Sequence, residues 1–144
     1  MRQQVAAFLF IVGCIACESS RVILTFEPVD LGGRATTLTD DELARVLMIA
    51  SETASSFGFE SDKWAAETSG AVELLARYKR RDQETGYQRI EIQVVRIKDS
   101  GQTSIWVINR EGHSAEMVTK KVESELSEAL ASALPSLRIA VRRQ

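Results

Sequence analysis

The 144-residue chain contains one histidine, His113, and this limits the catalytic chemistry that its side chains can perform. His113 lies in the segment Gly112-His113-Ser114-Ala115-Glu116, which begins like the G-x-S-x-G turn that exposes a nucleophilic serine. Glu116 replaces the second glycine of that pattern, and no second histidine is available to act as the base. We therefore interpret Ser114 as the N-cap of a helix and His113 as a loop residue.

Patterns for metals and cofactors are also weak. Zinc sites use three or four Cys, His or acidic ligands, and one histidine with two cysteines close to the N-terminus does not indicate such a site. The chain has neither a P-loop nor a G-x-G-x-x-G pattern, so Gly32-Gly33 indicates only a turn. The sequence therefore predicts no metal and no cofactor. A hydrolase that uses a pair of carboxylates stays open, because no particular pair is indicated.

Length and charge narrow the class of protein. A chain of 144 residues is long enough for one domain, and a charged fraction of 26% is ordinary for a globular protein. The formal net charge is −2. A bulk charge of this sign does not favour nucleic acid as a partner.

The N-terminus has the pattern of a secretory leader. A short basic head is followed by 13 uncharged residues from Val5 to Cys17. A membrane-spanning helix needs about 20 apolar residues, whereas an apolar run of about 7–15 residues is typical of a signal peptide. A buried first element of the fold is the alternative, but Glu18-Ser19-Ser20 ends the apolar pattern abruptly.

The end of this leader resembles the lipobox of bacterial lipoproteins. The residues that carry the resemblance are Ile11-Val12-Gly13-Cys14, two aliphatic residues and a small one before a cysteine. The resemblance covers only the first 14 to 17 residues. It implies that the Cys14 thiol receives a diacylglycerol and that the chain is cut immediately before it.

Cys17 is an alternative lipidation site, because Ile15-Ala16 precede it. The predicted organisation is a signal peptide over residues 1–13, a tether over 14–20 and one domain over 21–144. The resemblance implies a protein held at a membrane of the bacterial cell envelope by covalent lipid, facing the periplasm or the exterior. Two or three acyl chains give a stable anchor, whereas one binds reversibly.

Apolar periodicity predicts an α+β fold. Alternation of apolar and polar residues predicts five strands, over residues 21–27, 72–79, 89–94, 103–110 and 137–142. A capping box of Thr39 and Glu42 begins one amphipathic helix, which Gly58 ends. A second helix runs from Ser114 to Pro135, while residues 59–70 are interpreted as a loop. The order β-α-β-β-β-α-β predicts a two-layer sandwich, with a mainly antiparallel sheet and both helices on one face.

The other face of this sheet carries a predicted partner-binding patch. The turn signal at residues 99–102 predicts that Val94 pairs with Val107 and Val95 with Trp106. Four apolar residues then lie opposite the helices, and such patches often mark interaction sites. They are Val95, Ile97, Trp106 and Ile108. The alternative is that the loop around Trp64, or the N-terminal segment, covers the patch.

The densest basic run is a predicted anion contact. Its cationic residues are Arg77, Lys79, Arg80 and Arg81. Lipid headgroups or glycans are the anions expected for an envelope protein. The alternative interpretation is a strand end that runs into a solvated turn.

Three functions are consistent with these patterns. The first is a non-catalytic, lipid-anchored protein that binds a protein or envelope component through the sheet face or the basic strand end. The second is a lipid-anchored hydrolase with a carboxylate pair. The third is an inhibitor or immunity-type protein, which only the identity of its partner would separate from the first.

Overall fold

The fold is mixed α+β, as the sequence predicts. A computed structural model describes residues 20–29, 37–62, 68–81, 88–110 and 115–144. The helices and strands in these ranges are β1 (Ser20–Pro28), α1 (Asp40–Ser56), β2 (Glu60–Ser61), β3 (Thr68–Ser69), β4 (Val72–Arg81), β5 (Gln88–Ile97), β6 (Thr103–Asn109), α2 (Glu116–Ala133) and β7 (Leu137–Arg143). The leader, both cysteines, Trp64 and His113 lie outside the described residues.

The predicted element order omitted two short strands. β2 and β3 both pair with β4, and both come from the stretch of residues 59–70 that was interpreted as a loop. Each has two residues. A two-residue strand is too short to show alternation, so its sequence carried no signal.

The described strands form one antiparallel sheet in the order β2-β4-β5-β6-β1-β7, with β3 also on β4. β4, β5 and β6 follow one another as hairpins, which confirms the predicted meander. The first strand lies between β6 and β7, so both of its edges are hydrogen-bonded. This insertion places β1 beside β6, and β7 on the other side of β1.

The predicted β5–β6 register is wrong by two residues. Val94 pairs with Ile105, and Val95 pairs with Ser104. The Ile97 N–H donates to the Gln102 carbonyl at 2.8 Å, so four residues rather than two connect the strands. Side chains alternate with a period of two, and a shift of two residues therefore keeps each side chain on its predicted face.

Helix α1 begins and ends where the sequence predicts. The Glu42 N–H donates to Thr39 Oγ1 at 3.2 Å, and the Thr39 N–H donates to Glu42 Oε2 at 3.3 Å. These two bonds are the predicted capping box. Gly58, just after the helix, has a φ of +77°, a left-handed conformation that glycine adopts without steric cost.

Helix α2 begins one position later than predicted. Ala115 occupies the N-cap and contributes no side-chain capping bond, while Ser114 lies outside the described residues. The Thr119 hydroxyl donates to the Ala115 carbonyl at 2.7 Å, inside the first turn. A Lys120–Glu116 ion pair of 3.1 Å, spaced four residues apart, adds modest support.

One hydrophobic cluster joins the sheet to both helices. From the strands it takes Val22, Leu24, Phe26, Ile90, Ile92, Val94, Ile105, Val107 and Leu137. From the helices it takes Val46, Ile49, Ala50, Ala54, Val122, Leu126 and Leu130. We call the sheet side that carries these strand residues the core face, and the opposite side the outer face.

Candidate functional site

The outer face is built by the residues that alternate with the core residues along each strand. Cross-strand pairing sets Trp106 between Gln93 and Ile23. The next row sets Ile108 between Glu91 and Arg21. Apolar and charged side chains are therefore neighbours on this face, and the predicted apolar patch is interrupted by charge.

The four predicted patch residues differ in exposure. Val95 is only 1% exposed, although it is not part of the hydrophobic cluster. Ile97, Trp106 and Ile108 are half-buried. Among the described residues, the large apolar side chains that are most exposed lie elsewhere, at Val29, Met48, Met117 and Val141. Partner binding by the patch stays a prediction, with less apolar surface available than the sequence indicated.

The basic run of β4 divides between the two faces. Tyr78 packs against the hydrophobic cluster, so Arg80 shares the core side of the strand while Arg77 and Lys79 lie on the outer face. The backbone of Arg81 is described, and its side chain lies outside the described part of the chain. These four residues therefore do not form one continuous surface, and anion contact by them stays a prediction.

Asp62 neutralises part of this run. Its carboxylate accepts two hydrogen bonds from Arg77, at 2.6 and 2.9 Å, and lies 2.8 Å from Lys79 Nζ. The short strand β2 positions it, since the Asp62 N–H donates to the Arg77 carbonyl at 2.8 Å. An anion that approaches Arg77 or Lys79 must compete with this carboxylate.

A second carboxylate, Glu91, is buried on the outer face. Its side chain is 3% exposed and lies 3.1 Å from Arg110 Nη2. The Gln93 amide donates to the same carboxylate oxygen at 3.3 Å. A buried charge requires such partners. Glu91 therefore fixes the position of Arg110, whose side chain remains 53% exposed.

Arg21, the cross-strand partner of Ile108, is held by contacts with Trp106 and Gln144. Its guanidinium carbon lies 4.5 Å above the centre of the Trp106 ring, within cation–π distance. Its Nη2 donates to the Gln144 side-chain carbonyl at 2.5 Å. Backbone hydrogen bonds in both directions tie Arg21 to Gln144 as well.

Arg21 and Arg110 line a small pocket. Together with Ile108 and Gln144 they enclose a volume of about 290 Å³ on the outer face. Two guanidinium groups and an amide are donors suited to an oxyanion. Sequence reasoning missed this site, because nothing in the pattern indicated that β1 pairs with β6.

Charge is distributed unevenly between the outer face and the helices. The described outer-face side chains include six basic residues and four acidic ones: Arg21, Arg77, Lys79, Arg110, Arg138 and Arg142, against Glu27, Glu60, Asp62 and Glu91. The two helices carry three basic residues and eight acidic ones: Arg45, Lys120 and Lys121, against Asp40, Asp41, Glu42, Glu52, Glu116, Glu123, Glu125 and Glu128. An acidic protein thus presents a basic outer face.

An open groove between the two helices is acidic, in contrast to the basic outer face. Glu52 of α1 and Glu125 and Glu128 of α2 line it, with Thr53 and Ser56 beside them. The groove has a volume of about 450 Å³. The groove is shallow, and acidic side chains from both helices line it.

Strand β7 carries two further arginine contacts. Arg143 donates to both Glu123 carboxylate oxygens at 2.7 Å. These hydrogen bonds, and then the charge of Glu123, raise the pKa of Arg143 above its ordinary value, against a smaller opposing effect of burial. Arg138 Nη2 lies 2.6 Å from Glu27 Oε2. Arg142, between these two, is exposed and pairs with no described carboxylate.

Comparison with known proteins does not assign the chain to a family. No protein-family model matches the sequence, and no curated protein is significantly similar to it. Neither described helix is long and apolar enough to cross a membrane. Among the described residues, no group of three His, Cys, Asp or Glu side chains could hold a metal ion. The charge distribution is therefore the feature from which a function is inferred.

Proposed function

We propose that this chain is a lipid-anchored, non-catalytic protein of a bacterial cell envelope that binds an anionic envelope component, or an acidic protein surface, through the outer face. The uneven charge distribution carries the proposal. Six described cations against four anions attract an anionic partner to one side, while the acidic helices repel it from the other. Electrostatic complementarity of this kind sets orientation and specificity.

The proposal includes the finer architecture, in which both helices form one layer on the core face. The single hydrophobic cluster supports this arrangement, because it contains core-face residues together with buried residues of α1 and α2. Arg45 Nη1 also donates to the Ala133 carbonyl at 3.2 Å, which joins the two helices at one end. Two layers would leave the outer face free for a partner.

The proposed anchor precedes this face along the chain. Arg21 follows Cys17 by four residues and Cys14 by seven. A fully extended chain rises at most about 3.5 Å per residue, so the lipidated sulfur would lie within about 14 or 25 Å of Arg21. An anchor at either cysteine therefore holds β1 and its neighbours close to the bilayer surface.

Mass spectrometry of the N-terminus, on protein extracted from native membranes, tests the anchor. The expected result is a chain that begins at Cys14, or alternatively at Cys17, and carries acyl chains. Replacement of the lipidated cysteine by alanine should release the protein from the membrane fraction. An intact Met1 with both thiols bare would contradict the anchor and the location.

A matched pair of charge reversals tests the outer face. Arg142→Glu lies on the outer face, whereas Lys121→Glu lies on α2, and both side chains are exposed. The two variants have equal net charge. We expect Arg142→Glu to weaken sedimentation with purified cell envelopes and to flatten its dependence on salt, while Lys121→Glu leaves both unchanged. Equal effects would show that only net charge matters.

The apolar part of the outer face has its own test. Trp106→Ala and Ile108→Ala should each reduce envelope sedimentation without unfolding the domain, since both side chains are only half-buried. The thermal unfolding midpoint serves as the folding control. Unchanged sedimentation of both variants would remove the predicted patch from the binding surface.

A carboxylate-pair hydrolase at the helix groove is the second candidate function. The observation that favours it is the placement of Glu52, Glu125 and Glu128 around one concavity. Hydrolysis of cell-wall glycans by the purified protein, abolished by Glu125→Gln or Glu128→Gln, would support it. Wild-type protein without glycan hydrolysis leaves the binding function as the better account.

A further inference from the structure

The pocket between β1 and β6 has the composition of an anion site. Its lining residues are Arg21, Ile108, Arg110 and Gln144. Arg21 and Ile108 are direct cross-strand partners, and Arg110 follows Ile108 by two residues on the same side. Diagonal neighbours in a sheet lie about 7–8 Å apart, which long side chains span easily. The two guanidinium groups can therefore bind one ligand.

Only some of the N–H groups of the Arg21 guanidinium donate hydrogen bonds to described residues. A guanidinium carries five N–H groups. In the described structure one of its nitrogens donates to Gln144, and the ring of Trp106 supports its face. No described carboxylate pairs with it. The remaining donors are held in a fixed plane beside the pocket, which is the preorganisation that oxyanion binding needs.

The charge of the side chains around the pocket indicates how many negative charges the ligand carries. Arg21 and Arg110 bring two positive charges, and Glu91 bound to Arg110 neutralises one of them. Among the described side chains around the pocket, one unit of positive charge remains, which matches a ligand that carries a single negative charge. A doubly charged phosphate monoester would leave excess negative charge beside the buried Glu91.

The pocket volume and its apolar wall select the size of the ligand. The pocket has a volume of about 290 Å³ and is partly open to solvent, so a small carboxylate would occupy only part of it. Ile108 supplies an apolar wall suited to ester carbons beside the charged group. A phosphodiester combines one negative charge with carbon substituents on both sides.

We infer that Arg21, Arg110 and Gln144 bind a singly charged phosphodiester, from the headgroup of an anionic lipid or from a soluble glycerophosphodiester. Arg21 and Arg110 donate to the two unesterified oxygens, and the Gln144 amide donates to one of them. The inference deepens the proposed outer-face function and rests on it for the choice of envelope phosphodiesters. The pocket itself does not require the lipid anchor.

Tryptophan fluorescence provides the readout, because Arg21 lies against Trp106. Trp64→Phe leaves Trp106 as the only tryptophan of the chain. The full chain in dodecyl maltoside micelles is titrated with glycerophosphoglycerol, with dihexanoyl phosphatidylglycerol, with dihexanoyl phosphatidylcholine and with sodium acetate. We expect saturable changes with the first two probes, and at least about tenfold weaker binding of acetate and of the choline lipid.

Arg21→Gln should weaken binding of both phosphodiester anions by about tenfold or more, because a charge-assisted bond contributes on the order of 1.5–3 kcal/mol and about 1.4 kcal/mol is tenfold. Arg110→Lys keeps the charge next to Glu91 but loses the guanidinium geometry, and it should weaken binding several-fold. Lys121→Gln is the matched control, since it removes one exposed positive charge on α2 that does not line the pocket. It should leave the affinity within about twofold.

Two results would overturn the inference. Acetate binding as tightly as glycerophosphoglycerol would remove the phosphodiester assignment. Equal losses for Lys121→Gln and Arg21→Gln would show that net charge, and not the pocket, determines binding. Tighter binding of the lipid than of glycerophosphoglycerol supports a membrane source, and equal binding supports a soluble one. The N-terminal mass spectrum reports on the anchor separately, so the two proposals can fail independently.

Discussion

Val94 and Val95 are consecutive residues of β5, nearly equally buried, and they belong to different parts of the molecule. Val94 is 0% exposed and Val95 is 1% exposed. Val94 faces the hydrophobic cluster and pairs with Ile105, whereas Val95 faces the outer side and pairs with Ser104. The cross-strand partners of Val94 are both apolar, Ala76 and Ile105, whereas Val95 lies between the apolar Leu74 and the polar Ser104.

The difference shows how one sheet can stabilise the fold and also bind. The core face gains its stability from apolar burial, at about 25 cal/mol per Å² removed from water. The outer face buries charged groups such as Glu91 and Asp62 and must pair each of them. Paired charges add little net stability, but they hold arginine side chains in fixed positions. Four tests of this comparison follow, in order of expected effect.

Phe26→Ala should produce the largest loss. Phe26 is a fully buried member of the core face, and removal of a buried phenyl ring costs about 3–5 kcal/mol of the free energy of unfolding. Thr25→Ala, one residue away on the outer face, should change it by less than about 1 kcal/mol. Urea unfolding followed by circular dichroism measures both. Equal losses would contradict the assignment of the two faces.

Threonine in place of each valine compares the two environments directly. At position 94 the added hydroxyl would face apolar residues without a partner and should cost about 2 kcal/mol. At position 95 it faces Ser104, with which it can exchange a hydrogen bond, so Val95→Thr should cost less than about 1 kcal/mol. Urea unfolding midpoints give both values. A larger loss for Val95→Thr would show that the outer face is packed as tightly as the core.

Asp62→Asn tests whether the carboxylate restrains the basic strand. It removes the charge that pairs with Arg77 and Lys79 at a largely buried position, and it should lower the free energy of unfolding by about 1–2 kcal/mol. It should also strengthen envelope binding at low salt, because two cations lose their counter-charge. Glu73→Gln is the control. Its pair with Arg96 is exposed and should contribute less than about 0.5 kcal/mol.

Arg143→Lys should have the smallest effect. It replaces two parallel bonds to Glu123 by one, but the arginine side chain is 62% exposed and solvent screens the pair. We expect a loss below about 1 kcal/mol that shrinks in high salt. Because the pKa of Arg143 is raised, its contribution is fully present below the pKa of free arginine and disappears only as the pH rises through the raised value. Loss of this contribution between about pH 7 and 10 would contradict the assignment.

Local patterns in the sequence predicted most elements and the faces of β5, but not the start of β4, where a register shift between Leu74 and Ala76 turns Leu75 instead of Leu74 toward the core. Thr39, Glu42 and Gly58 fixed the ends of α1, because a capping box and a left-handed glycine act within a few residues. Alternation assigned Ile90, Ile92 and Val94 to the core face correctly, even though the hairpin register was wrong by two residues. The anchor at Cys14 or Cys17 lies outside the described residues and stays a prediction.

The candidate site was predicted only in part. Trp106 and Ile108 were expected on the outer face and lie there, but Arg21, Arg110 and Gln144 were not connected with them. The basic run was expected to act as one surface, and strand alternation divides it between two faces. Asp62 was missed because a two-residue strand, invisible to periodicity, places it beside Arg77.

The sequence by itself determined where α1 begins and ends and which residues of β5 point inward. The tertiary structure alone decided that β1 lies between β6 and β7. That insertion sets Arg21 against Trp106 and Gln144, and it creates the anion pocket. Periodicity and capping act over a few residues, whereas the choice of strand neighbours is made by side chains that meet only after the chain has closed on itself. A one-dimensional pattern therefore predicts the faces of a sheet but not the residues that meet across its strands.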